Sequence, residues 1–275
     1  MISDNPHLPS DVPPGPLIGM VHLAPLPGSP ASGRSLRAVC DAAVADAMTL
    51  IQAGFDALMV ENFGDAPFRA TRVDPHTVSA MTVAARRLRE LTEKAIGVNV
   101  LRNDPCAALA VAVVAGLQFI RVNVHCGVYA TDQGIIEGRA DETLRYRARL
   151  WSEMATAKPR AAMIFADVHV KHARSLRDEP IADAAREIAY RGRADALIVS
   201  GAATGAPTNM SDLLAVKSAV PDRPLYVGSG ASLDNARDLL TIADGLIVGT
   251  AIKTDGVTTA PVDAKRAAAL VNALR

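Results

Sequence analysis

The sequence predicts an α/β fold of the (β/α)8 TIM-barrel class. Three observations carry that expectation. Short β-rich runs alternate with longer helical patterns, an order that implies parallel strands. The alternation never gives way to a run of strands or a run of helices. Eight strand–helix units within 275 residues fit a closed barrel, whereas an open doubly wound sheet of this length usually has fewer strands.

The strands are expected at 17–21, 56–60, 96–101, 119–124, 162–168, 196–199, 225–227 and 246–248. Asp74-Pro75 and Asp104-Pro105 each place a capping carboxylate before a proline at the first helical position, and Ser232 and Pro261 are expected to open two further helices. In the first helix Leu36, Val39, Cys40, Ala43, Val44, Ala47, Leu50 and Ile51 recur at three-and-four spacing and make one apolar stripe. Its opposite face carries Arg37, Asp41 and Asp46. The segments FDALMVEN, ADALIVSG and ADGLIVGT are alike. Duplicated half-barrels would produce that, and so would a pre-strand Asp with a Val/Ile/Leu run in any parallel strand buried on both faces, which is the reading favoured here. Residues 1–16, with five prolines, read as a flexible N-terminal tail, and 17–275 as one barrel domain.

Composition excludes several function classes. Twenty-nine basic and 29 acidic side chains cancel, and aromatics are 4%, so neither the field nor the stacking platform for nucleic acid is expected. The longest apolar stretch, 107–117, is shorter than the ~18–20 residues of a spanning helix. No transmembrane segment is expected, which leaves only peripheral membrane association open. Cys40, Cys106 and Cys126 form no CxxC pair and are odd in number, so a reducing, cytoplasmic compartment is expected.

Barrels of this class carry their chemistry at the carboxyl ends of the strands. There the sequence places His22, Glu61-Asn62, Arg102-Asn103, His125, Asp167 through His172, Ser200-Gly201, Ser229-Gly230 and Thr250. Strand alternation sorts them further. Ile120, Val122 and Val124 share a helix-facing side, while Arg121, Asn123 and His125 point inward. Phe165, Asp167 and His169 do the same on the fifth expected strand, with Lys171 following if the chain stays extended, and Asn99 falls in the same layer. A buried arginine needs a carboxylate, so Arg121 is expected to pair with Asp167, or second with Glu61.

YVGSGAS and LIVGTAIK put glycine turns after the seventh and eighth expected strands. Amides of Gly228, Ser229, Gly230, Gly249 and Thr250 are expected to cradle a phosphate at two helix amino termini, with Lys253 adding charge. Two long loops, HLAPLPGSPASGR and HCGVYATDQGIIEGRA, are either lids or packing; the second carries Tyr129, Asp132, Gln133 and Glu137.

In DVHVKH, a partly desolvated Lys171 can attack a carbonyl as a Schiff-base nucleophile or stabilise an enolate as a cation. Asp167 or Glu61 can move protons, and His22, His125 or His172 can polarise an oxygen. A divalent metal on His125, Asp167 and His169 or His172 competes, but no HxH or HExxH spacing appears, and no metal or cofactor is expected. Cys126 is weighed as a thiolate against the common burial of cysteine.

GMVHLAPLPGSP, VENFGDAPF, GVNVLRNDP, FIRVNVHCGVYATDQGIIEGRA, DVHVKH, SGAATG, VGSGAS and VGTAIK together resemble the BtpA/SgcQ family from about Ile18 to the end. The resemblance implies a TIM barrel and no particular reaction. One family name comes from a factor implicated in photosystem I biogenesis, the other from a sugar-utilisation gene cluster. The residues favour an enzyme that cleaves or isomerises a small phosphorylated metabolite, a sugar phosphate, as lyase or isomerase. Alternatives are a non-catalytic assembly factor for a membrane complex and a metal-dependent hydrolase. A homo-oligomer is expected, as is common for soluble enzymes.

Overall fold

The computed structural model describes residues 16–153, 161–201 and 208–275. The expected tail, apart from Pro16, lies outside the described residues, as do positions 202–205 of SGAATG. Among the described residues the elements run β1 (Leu17–His22), α1 (Leu36–Ala53), β2 (Ala57–Glu61), α2 (Pro75–Arg89), β3 (Ala95–Asn99), α3 (Pro105–Ala115), β4 (Phe119–Val122), β5 (Val128–Thr131), β6 (Gly134–Glu137), α4 (Ala140–Glu153), β7 (Met163–Val168), β8 (Ala173–Ser175), α5 (Ile181–Arg186), β9 (Ala196–Val199), α6 (Met210–Ala219), β10 (Leu225–Val227), α7 (Ala236–Leu239), β11 (Gly245–Val248) and α8 (Ala264–Leu274). Eight of the strands pair in parallel in the order β1-β2-β3-β4-β7-β9-β10-β11, and β11 returns to β1 through Leu17 opposite Leu246. Every run expected as a strand is one of these eight.

Side-chain alternation builds the interior. Ile18, Met20, Met59, Phe119, Phe165, Ile198, Tyr226 and Ile247 fill the barrel, and Phe165 stacks between Phe119 (4.6 Å) and Tyr226 (4.8 Å). Such bulk needs a small residue opposite: a Cβ on Gly97 would sit 2.1 Å from the Phe119 ring. The opposite strand faces, with Leu58, Val60, Val98, Ile120, Ile164 and Ala166, pack against the helices in a second, larger core.

The three alike segments have a physical cause at the amino end of the barrel. The carboxylates of Asp56, Asp195 and Asp244 accept the amides of Leu17, Ile164 and Leu225, each the first or second residue of its strand, at 2.8–2.9 Å. Gln118 does the same for Ile96 through its amide oxygen, at 2.9 Å. These residues tie β1 to β2, β7 to β9, β10 to β11 and β3 to β4. Each aspartate also meets a cation, Arg275, Arg147 or Lys217. A shared local role therefore accounts for the likeness of the segments.

Helix starts follow the sequence in part. Asp104 caps α3 by accepting from Ala107 N at 2.9 Å, whereas Asp74 precedes α2 but gives its carboxylate to Arg69 instead. Two expectations are corrected. Helix α8 starts after Asp263, which accepts from Lys265 and Arg266, not at Pro261. Ser232 makes no side-chain cap; its amide donates to Asn235 Oδ1, and α7 spans only four residues. Asp46 is also not on an exposed face: it is buried, accepting Val262 N at 2.7 Å and Lys253 Nζ at 2.6 Å.

The loop after β1 is fixed at its start, where Leu23 N donates to Glu61 O and Leu26 N to Asp65 Oδ1, and Leu23 and Leu26 are buried. The loop after β4 contains regular structure of its own. Strands β5 and β6 make an antiparallel hairpin, β8 adds to β5, and Val124, Tyr129, Ile136 and Val170 form a small core of their own.

Candidate functional site

The ends of four adjacent strands set a ring of polar groups. The register His22–Glu61–Asn99–Arg121 runs straight across β1, β2, β3 and β4, all pointing inward above the apolar filling. Arg121 meets Asp167 in a two-pronged pair, Nε to Oδ2 at 3.0 Å and Nη2 to Oδ1 at 2.7 Å, as expected. Asn123 Nδ2 donates to the same carboxylate at 2.7 Å, and Ser200 Oγ lies 3.5 Å from Arg121 Nη2. Burial works against the Arg121 charge, but the Asp167 carboxylate outweighs it and holds the guanidinium above its ordinary value. Asn99 Nδ2 donates to Glu61 Oε2 at 2.7 Å.

His22 has a defined tautomer. Its Nδ1 lies 3.2 Å from Thr258 O, and a carbonyl only accepts, so Nδ1 carries the proton. Nε2 then presents a lone pair 3.8 Å from Glu61 Oε1. Burial, with smaller contributions from Lys253 and Lys171 against that of Glu61, lowers its pKa to about 4, so the ring is neutral at pH 7.

Lys171 reaches the same mouth, although the chain does not stay extended: His169 and His172 take positive φ (52° and 55°) on either side of it. Its carbonyl accepts from Arg102 Nη2 at 2.6 Å, which holds the turn. Burial first, and the Arg121 charge second, hold the Lys171 ammonium below the ordinary lysine range, with Glu61 and Asp167 opposing. Burial likewise lowers Arg102, and lowers His172 with help from Lys171 and Arg102.

These groups border a cleft of two lobes that share Glu61, Phe63, Arg121 and Lys171. The first, about 140 Å3, adds His22, residues 228–232 and residues 249–251. The second, about 230 Å3, adds Phe68, Arg102, Asn123, His172 and, from the β5–β6 turn, Asp132 and Gln133. Larger grooves of about 500 and 810 Å3 lie between outer helices; the charged constellation marks the smaller cleft.

Both glycine turns therefore open into one lobe. A Cβ on Gly228 would come within 2.5 Å of Ser200 Oγ and 3.0 Å of Arg121 Nη2, so only glycine lets the turn approach this ion pair. Ser229 Oγ is buried with no hydrogen-bond partner among the described residues. The turns are followed by a four-residue helix and a three-residue 3-10 turn, so what they offer is turn amides rather than the ends of long helices.

Several expected site residues stand elsewhere. Lys253 is 1% exposed and bound to Asp46, and it does not border the lobe that Gly249 and Thr250 line. His125 turns away from the barrel axis because β4 ends at Val122; its Nε2 binds Gly192 O at 2.8 Å and burial lowers its pKa. His169 packs edge-on against Tyr129. Asn62 and Asn103 are structural pegs: Asn62 Oδ1 accepts Leu101 N, and Asn103 bonds both the amide and the carbonyl of Val124. Gly201 is buried and outside the lining, whereas Ser200 before it reaches Arg121. The set His125, Asp167, His169 and His172 does not converge, and among the described residues no three His, Cys, Asp or Glu could hold a metal ion. Burial pushes the Cys126 thiol up to about 11, which disfavours its thiolate form. Phe63, Phe68 and Thr258 were not among the candidate residues: the first two lie within VENFGDAPF but are apolar and carry no chemical signal, and Thr258 lies in none of the motifs.

No helix among the described residues is long and apolar enough to cross a membrane. The crystal structure of KGPDC from Streptococcus mutans superposes with a TM-score of 0.59 at 14% identity, covering 95% of this chain and 98% of that one, which shows the fold alone. Photosystem I biogenesis protein BtpA of Synechocystis is 46% identical over 259 residues, 94% of this chain and 88% of that protein. The putative sgc region protein SgcQ of Escherichia coli is 34% identical over 91% of this chain and 90% of its own length. A family model described as the BtpA family matches residues 14–275, and the chain belongs to that family.

Proposed function

We propose that this chain is an enzyme that cleaves or isomerises a small phosphorylated metabolite, a sugar phosphate. One observation carries the reading: a single lobe is bordered both by two glycine turns and by Lys171, Glu61, Arg121 and His22. Turn amides at Gly228, Ser229, Gly230, Gly249 and Thr250 would hold the phosphate, and Arg121 adds nearby positive charge.

With the phosphate anchored, the substrate carbonyl falls beside Lys171. In its neutral form, favoured by burial, the Nζ lone pair adds to the carbonyl carbon, the oxygen takes the proton shed by nitrogen and a second proton from solvent and leaves as water, and a protonated Schiff base remains. Glu61 takes the proton of the β-hydroxyl, the carbon–carbon bond breaks, and its electron pair moves into the iminium to give an enamine. Protonation of the enamine carbon and hydrolysis return the lysine. Glu61 suits the base role better than Asp167, whose two oxygens are both committed to Arg121 and Asn123. If Lys171 stays charged, it and Arg121 instead stabilise an enolate, and the result is isomerisation.

Incubation with ketose and aldose phosphates plus borohydride, followed by peptide mass mapping, is expected to add substrate mass at Lys171. Turnover without such an adduct removes the Schiff-base route and leaves the enolate route.

The 46% identity to a photosystem I biogenesis protein supports a second reading, a non-catalytic assembly factor. Replacement of Asp167 and Lys171 separates the two: preserved biological function with the fold intact would favour assembly and end the catalytic account.

A further inference from the structure

An antiparallel sheet with one face in water normally alternates apolar and polar residues, and the β5–β6–β8 sheet does not. Val128, Tyr129 and Ala130 are consecutive apolar residues in β5, and Ile135 and Ile136 are in β6. Half of them serve the inner face, where Tyr129 and Ile136 join Val124 and Val170 in the small core. The other half face outward. Register fixes their places: Val128 pairs with Glu137, Ala130 pairs with Ile135 on one side and Arg174 on the other, and Leu176 N donates to Val128 O. The outer face is therefore two rows of three, Glu137–Val128–Leu176 above Ile135–Ala130–Arg174.

Its apolar positions are contiguous and open. Ile135 is 63% exposed and Leu176 56%, and Val128 and Ala130 join them across the middle strand. Other exposed apolar side chains, such as Leu214 and Val114, lie on separate helices, an exposure that soluble proteins tolerate. Glu137 and Arg174 occupy opposite corners of the face. Both are exposed, and neither makes a salt bridge among the described residues.

We propose that this face pairs with the same face of a second copy of the chain. A two-fold axis along the diagonal from Ile135 to Leu176 lays each of these residues against its own copy and brings Glu137 of each chain over Arg174 of the other. The strands of the two sheets then cross steeply, as in orthogonal sheet packing. A lipid surface would call for a surplus of cations around the apolar residues, whereas this face carries one acid and one base. The proposal does not rest on the phosphate reading. It bears on the cleft nonetheless, because the β5–β6 turn carries Asp132 and Gln133 to the second lobe and pairing would steady that wall.

Three strands by four residues cover roughly 200 Å2 in plan, against ~800 Å2 per partner in a standard stable interface, so the dimer is expected to be weak and concentration-dependent. Sedimentation velocity of the full chain from about 5 to 500 µM is expected to show a monomer–dimer equilibrium. Ile135→Asp should leave only monomer, while Leu214→Asp, at a similarly exposed site on α6, should leave the equilibrium unchanged. Glu137→Arg and Arg174→Glu each bring like charges together and should weaken the dimer about fivefold or more. The double variant restores opposite charges and should recover the affinity to within about twofold. All these positions are exposed, so the variants are expected to fold, and their melting temperatures check that.

A chain that stays monomeric over the whole range overturns the proposal. So does association that survives Ile135→Asp or that Leu214→Asp abolishes equally. Single charge reversals without effect, or a double variant no better than the singles, likewise overturn the two-fold pairing.

Discussion

At the scale of single residues, charge burial dominates. Arg121 and Asp167 are almost fully enclosed, so removing one partner strands the other. Asp167→Ala is expected to cost about 3–5 kcal/mol in urea unfolding, and Arg121→Met with Asp167→Leu to cost less than the single aspartate change. A double variant no more stable than Asp167→Ala would contradict this. His22 supplies a pH dependence. Unfolded, it takes up a proton near 6.5; folded, it does so only at about 4. Between those values the unfolded state binds more protons, so stability falls as pH drops through that window, by on the order of 3 kcal/mol in total. His22→Gln should flatten the unfolding curve between pH 6.5 and 4, and an unchanged slope would remove His22 as the source. The Arg121–Asp167 pair was legible because an inward arginine needs a carboxylate on a neighbouring strand. His125 was not, because two-residue alternation holds only while the strand lasts, and β4 ends at Val122.

At the scale of elements, Lys253 and Asp46 form a clamp between the segment after β11 and helix α1. Lys253→Met is expected to lower the melting temperature but to leave phosphate affinity unchanged; a tenfold or larger loss of affinity would return Lys253 to the cradle. Asp46 was assigned to the polar face for its charge, although it stands three residues after Ala43 and four before Leu50 at the edge of the apolar stripe; what the local pattern does not show is a partner some two hundred positions away. The strand-start aspartates behave differently. Each satisfies a strand amide that otherwise has no bond, so Asp244→Ala is expected to cost about 1–3 kcal/mol without touching the cleft. The pre-strand aspartate was visible as a motif, but its bond to the neighbouring strand could be seen only in the closed barrel. The β5–β6–β8 sheet escaped notice because its strands are three or four residues long and half exposed, with too few alternations to stand out from a loop.

At the scale of the whole molecule, parallel closure turns separate polar strand ends into one cleft. The eight strands were readable because each is a short Val/Ile/Leu-rich run between turn signals, and their number implied closure. The composition of the cleft was readable in outline, since His22, Glu61, Arg121, Lys171 and both glycine turns converge. Its division into two lobes depends on the hairpin and on Phe63 and Phe68, and so required the structure. The most direct test of the central claim is a crystal soaked with selenate, a tetrahedral anion that can be located by its anomalous signal. The account predicts a peak within hydrogen-bond distance of the amides around Ser229, Gly230 and Thr250, displaced by inorganic phosphate. An empty first lobe, with selenate bound only on the outer helices, would contradict it.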